Sequence, residues 1–132
     1  MLAAFLLLAV AMGAIMSWSR RELTDFAERH PSIADIAAFE AYKDLARSQM
    51  RWAIVYIAIG FAGLLASIDL CSTGGLPMLA VVVGVNVPLM LLGRSNKQIE
   101  DRVRALPCAD PLLAGEFEHV GASWVHKALP DF

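Results

Sequence analysis

Apolar residues gather into three blocks, residues 1–18, 52–68 and 76–93, none of which contains Asp, Glu, Lys or Arg. At about 1.5 Å per residue each block makes a helix about 26 Å long, close to the hydrocarbon thickness of a bilayer. Each therefore predicts a membrane-spanning helix with little slack. The polar segments that follow keep a helical repeat. Leu23, Phe26, Ala27 and His30 recur at i, i+3, i+4 and i+7, so the first helix runs on past its span until His30-Pro31-Ser32 stops it. Ser32 with Asp35 three positions on predicts a cap for the next helix. Phe39, Tyr42, Ala46, Met50 and Ala53 then fall near one stripe, and no Pro or Gly interrupts the chain until Gly60. One helix over about 33–68 is expected, its first half standing in water and its second half crossing the membrane.

Ile99, Val103 and Leu106 extend the third span in the same way, up to Pro107. Asp110 and Pro111 form an N-cap and a first helical position. Leu113, Phe117, Val120 and Trp124 follow at i, i+4, i+7 and i+11, predicting an amphipathic helix over about 111–129 that ends at Pro130. The pattern as a whole defines an all-α protein. Residues 1–106 form a three-span transmembrane helical bundle whose helices extend into a small cytoplasmic head, and residues 107–132 form a tail with the C-terminal amphipathic helix. That helix is expected to pack back on the head or to dock a partner through Leu113, Phe117, Val120 and Trp124.

Within the spans, Ala58, Gly60, Ala62, Gly63 and Ala66 give the second block a surface of small residues on which another helix can approach closely. The neighbour is either a helix of the same chain or a second protein. Asn86 and Pro88 are the unusual pair of the third block. Proline removes a backbone hydrogen bond and is expected to bend the helix. The amide either satisfies a carbonyl freed by that bend, or lines a pathway or grips another subunit. The intervening 69–77 segment, with two glycines, a proline and small hydroxyls, predicts a tight turn.

Charge assigns the sides. The hydrophobic fraction is 58%, and thirteen acidic against eleven basic residues leave a formal charge of −2. That near-neutral balance gives no support for a nucleic-acid partner. Arg20, Arg21, Arg29, Lys43, Arg47 and Arg51 lie between the first and second blocks; Arg94, Lys97, Arg102, Arg104 and Lys127 follow the third; residues 69–77 carry no base. Three crossings put every base on one face, and the positive-inside rule makes that face cytoplasmic. The expected location is the plasma (bacterial inner) membrane, N-terminus outside, with the 19–51 segment and the tail cytoplasmic. The first block has no basic residue ahead of it, no small-x-small site before Ser17, and Arg20 and Arg21 close behind. A retained anchor is expected rather than a cleaved signal peptide. Cys71 then faces outside and Cys108 the cytoplasm, which excludes a bridge between them in one chain; both read as isolated thiols, with a Cys71 pair between subunits as the alternative.

Candidate chemistry is sparse. The spans hold no ionisable side chain, where a proton relay would need one. Asp69 directly follows the second block and reads as a helix end. His119 and His126 share a helical face, but a metal site needs three or four converging ligands, and no phosphate loop or nucleophile elbow is present. No catalytic residue, cofactor or metal is predicted, and no enzyme activity. The sequence points to a non-catalytic accessory, assembly or scaffolding subunit in contact with membrane lipid and with another membrane protein or further copies of itself. The alternative is an oligomeric channel or transport module lined by the third span around Asn86 and Pro88.

Overall fold

A computed structural model describes residues 1–127 and 129–132. Helices occupy 86% of the chain, and no strand is present among the described residues. They are α1 (Leu2–Arg29), α2 (Ile36–Arg104) and α3 (Pro111–His126). Both α1 and α2 are long and apolar enough to cross a membrane.

α2 is two helices joined at one residue. Gly75, at φ 59° and ψ −149°, is the sole non-helical position inside it, in a region that a side chain disfavours. The helix directions follow from what α1 touches. Met12 lies opposite Gly60 and Ser19 bonds Gln49, so α1 and the first half of α2 are antiparallel. Gly13 lies opposite Leu89 and Met16 opposite Gly93, so α1 and the second half are parallel. The chain therefore reverses at Gly75. Ser72 and Thr73 hydroxyls donate to the Asp69 carbonyl at 2.9 and 2.8 Å just before the reversal. A Cβ on Gly74 would collide with Met78. Pro77 falls in the first turn of the second half, where its missing N–H costs least. The predicted turn over 69–77 is thus reduced to a glycine hinge with helical backbone on either side.

The start of α2 differs from expectation. Asp35 is the N-cap, its Oδ1 accepting the Ala38 N–H at 2.7 Å, and the helix begins at Ile36 rather than near Ile33. Ile33 is instead held by the linker before α3: its N–H donates to the Pro107 carbonyl and its carbonyl accepts from the Ala109 N–H, both at 2.9 Å. This isolated bridge fixes the hairpin tip against the linker, and Ile33 is fully buried. Asp110 caps α3 through the Leu112 N–H at 2.9 Å, with Pro111 in the first turn. α3 ends at His126; the predicted end near 129 lies past Ala128, which is outside the described residues.

Leu23 and Phe26 of α1, Phe39, Tyr42, Ala46 and Met50 of α2, Val103 near its far end, and Val120 and Trp124 of α3 form one core. Fully burying side chains of this size stabilises by about 1.5–3 kcal/mol each. The head predicted as three extensions is closed by a fourth helix. After α3 the chain turns back: Ser123 and Lys127 both bond the Asp131 carboxylate, and Arg47 donates twice to the Phe132 main-chain oxygen, at 3.2 and 2.7 Å. Those Lys127 and Ser123 bonds hold the Asp131 carboxyl below its ordinary range. At the other end of the bundle Phe5, Ala66 and Leu70 make a smaller cluster with Val81, Val82 and Val85 beside it. Between the two, Leu7, Val10, Ile57, Phe61, Val87 and Met90 point outward.

Candidate functional site

The polar residues at the base of the head are brought together by helix periodicity. Ser19 lies one turn before Leu23 on the inner face of α1, and Gln49 precedes Met50 on the inner face of α2, so both point between the helices. Ser19 Oγ donates to Gln49 Oε1 at 2.6 Å, and Gln49 Nε2 donates to Glu22 Oε2 at 2.8 Å. Ser48 Oγ reaches both Glu22 oxygens at 3.3 Å. From the second half of α2, Asn96 Nδ2 donates to the Met16 carbonyl at 2.8 Å, a bond to the main chain of another helix. Trp18 and Trp52 meet edge to face, with ring centroids 5.3 Å apart, at the same level. Arg51, next to Trp52 in the chain, is exposed.

Beside this junction opens a cleft of about 480 Å³. Met12, Met16, Ile54, Ile57 and Trp124 are among its apolar walls; Ser19, Gln49, Tyr56, Asn96, Lys97, Glu100 and Lys127 supply its polar ones. Its volume is within the range of small-molecule sites, about 300–1,000 Å³. Lys97 lies 2.9 Å from Glu100 and 3.2 Å from Asp101. Partial burial alone would lower the Lys97 pKa, but those two carboxylates outweigh it and hold the ammonium above its usual value. The Tyr56 hydroxyl lies beside Ser19, whose Oγ donates to Gln49 and keeps lone pairs that can accept. The Oδ1 of Asn96 is buried and unpartnered.

Deeper in the head, the Tyr42 hydroxyl has no partner, nor does Arg104 Nε. The ring packs against Phe117 at 4.7 Å and Trp124 at 5.8 Å. Burial pushes the Tyr42 hydroxyl up to about 12, with Arg104 working against that rise and Glu100 adding to it.

The residues singled out from sequence are distributed as follows. Val120 and Trp124 are buried, and Leu113 and Phe117 pack against the same core, so the α3 stripe is occupied by the chain itself. Leu113 and Phe117 remain partly exposed. Ala66 is buried against Phe5 and Leu70, and Gly60 faces Met12, so this part of the small-residue surface meets α1. Ala62 and Gly63 are half-buried, whereas Ala58 is exposed. A ridge spaced by four drifts about 40° per step on a helix of 3.6 residues per turn, which carries Ala58 off the face that buries Ala66. Asn86 and Pro88 are exposed. The Asn86 amide donates to the Val82 carbonyl at 2.8 Å, not to the Gly84 carbonyl that Pro88 leaves free. Asn86 also borders a smaller cleft of about 290 Å³ with Phe5, Met12, Gly60 and Ser67.

Cys71 and Cys108 are both free thiols. Among the described residues, no three His, Cys, Asp or Glu side chains converge to hold a metal ion. Sequence reasoning passed over Ser19, Gln49, Tyr56 and Asn96. The signal was there for Gln49, an amide beside an otherwise apolar stripe. No family model, no curated protein and no solved structure matches the chain.

Proposed function

We propose that the chain is a three-span protein of a bacterial-type inner membrane, with its N-terminus and the Gly75 hinge outside and the head and tail cytoplasmic. In this reading it is a non-catalytic accessory, assembly or scaffolding subunit that docks a partner through its cytoplasmic helices. The reversal at Gly75 supports three crossings, as does the outward apolar belt between the Trp18–Trp52 level and the hinge. The observation that carries the docking is at the tip of the head. Leu112 is 90% exposed and Ile36 66% exposed, and they start the two helices whose approaches are tied together through Ile33. These two large apolar side chains, exposed where the helices begin, are surface available to another protein.

Mild detergent extraction and mass spectrometry of co-purifying chains test the reading. A reproducible partner that is lost in Leu112→Lys with Ile36→Lys is expected; a clean monomer under the same conditions would sink it. The channel alternative draws on the exposure of Asn86 and Pro88 and the small cleft beside Asn86. In proteoliposomes it requires a flux that Asn86→Leu alters.

A further inference from the structure

Leu76, Leu79, Val83, Asn86 and Met90 recur at i, i+3, i+7, i+10 and i+14 along the second half of α2, the spacing of a seam between two packed helices. All five are exposed, Leu76 at 80% and Met90 at 59%, so no described helix covers the stripe. Within a bilayer, lipid tails cover its four apolar members but offer an amide nothing to bond. The Asn86 side chain is only partly satisfied by its own helix. One N–H goes to the Val82 carbonyl at 2.8 Å, which leaves a second N–H and the lone pairs of Oδ1. Counted from the reversal at Gly75, Asn86 stands about 16 Å along the helix, midway through a hydrocarbon layer about 30 Å thick. Polar groups left unpaired at that depth are costly.

Symmetry selects what covers them. Copies of one chain inserted in the same orientation are related by an axis along the membrane normal, so a residue on a shared seam meets its own counterpart at its own depth. A carboxamide carries both a donor and an acceptor and is therefore complementary to itself. A different protein would need a polar group placed at that same level. The cleft that Asn86 borders has open space beside Gly63, where a second helix can approach closely. We propose that this seam pairs the chain with a second copy of itself. The two third spans run parallel, the Asn86 amides exchange two hydrogen bonds across the two-fold axis, and Leu79, Val83 and Met90 pack above and below them.

The full chain with Cys71→Ser and Cys108→Ser is given single cysteines on the third span and oxidised in the membranes of the expressing cells. Met90→Cys should cross-link into a dimer. Leu91→Cys, equally exposed at 59% but one position off the stripe, should not. Sedimentation equilibrium of the full chain in micelles should show a dimer that weakens by about five- to tenfold in Asn86→Leu, the loss of two interhelical hydrogen bonds, and that Asn86→Gln retains. Equal cross-linking at both positions, capture of Met90→Cys by a different chain, a trimer or larger species, or association unchanged in Asn86→Leu would overturn the pairing. The proposal rests on the membrane reading, and the two fail differently: release of the chain by alkaline carbonate defeats the membrane reading, whereas firm integration without the Met90 cross-link defeats the pairing alone.

Discussion

Replacing Gln49 with Leu probes the bond that joins α1 to α2 at the base of the head. Gln49 is 8% exposed and Ser19 3% exposed. The substitution leaves the Ser19 hydroxyl buried without its acceptor, which costs about 1–3 kcal/mol. It also removes the amide donor from Glu22, but Ser48 still reaches that partly exposed carboxylate, so this second loss is near the low end of the range for charged groups, about 1.5 kcal/mol. Added Leu burial offsets about 1 kcal/mol, leaving a net loss of about 2 kcal/mol. Ser19→Ala alone should cost about 1 kcal/mol. In the double variant no orphaned hydroxyl remains and only the Glu22 loss less the Leu burial is left, so the combined loss should be about 0.5 rather than 3 kcal/mol. The resulting coupling of about 2.5 kcal/mol lies within the range for residues in direct contact. Reversible unfolding in mixed micelles, followed by circular dichroism, measures the cycle. Losses that add within about 0.3 kcal/mol would mean that the two side chains do not interact, and the junction described above would be wrong.

Three further outcomes follow from other parts of the structure. Tyr42→Phe deletes an unpartnered hydroxyl and should leave the melting temperature unchanged or raised, whereas Tyr42→Ala should cost about 3–5 kcal/mol as a core cavity. Because the Tyr42 hydroxyl titrates near 12 in the folded chain against an ordinary 10.0, its contribution is fully present below pH 10 and is lost as pH rises through 12; that part of the decline should vanish in Tyr42→Phe. Gly75→Ala places a side chain at φ 59° and should destabilise by about 1–3 kcal/mol in the same unfolding assay. In sealed inverted and right-side-out vesicles, an impermeant maleimide should reach Cys71 from outside and Cys108 from the cytoplasmic side; labelling of Cys108 from outside reverses the topology.

Much of the head was legible because a 3.6-residue repeat marks the face a helix will bury. Leu23 and Phe26, Phe39 through Met50, Val103, and Val120 with Trp124 were readable as stripes, and they are the core. Periodicity names a face and not its neighbour. It therefore left open whether the α3 stripe met this chain or another, which Tyr42 answers by packing against Phe117 and Trp124. The partners of Ser19 and Asn96 are 30 and 80 positions away, beyond the reach of any local rule. The shifted start of α2 has the same origin: Ile33 could have joined the helix, but two hydrogen bonds from the linker near Pro107 hold it outside.

The hinge at Gly75 governs more than the shape of α2. Drawn out straight, the 69 residues of that element would form a rod about 100 Å long, stranding Val103 and everything after it far from Phe39 and Tyr42. The core joins Leu23 and Phe39 to Val103, Val120 and Trp124, which lie far along the chain. Until the hinge has turned and the final helix has been delivered, the early stripes stand uncovered. The closing of Phe39 and Tyr42 against Val103, Val120 and Trp124 therefore depends on the turn made at Gly75.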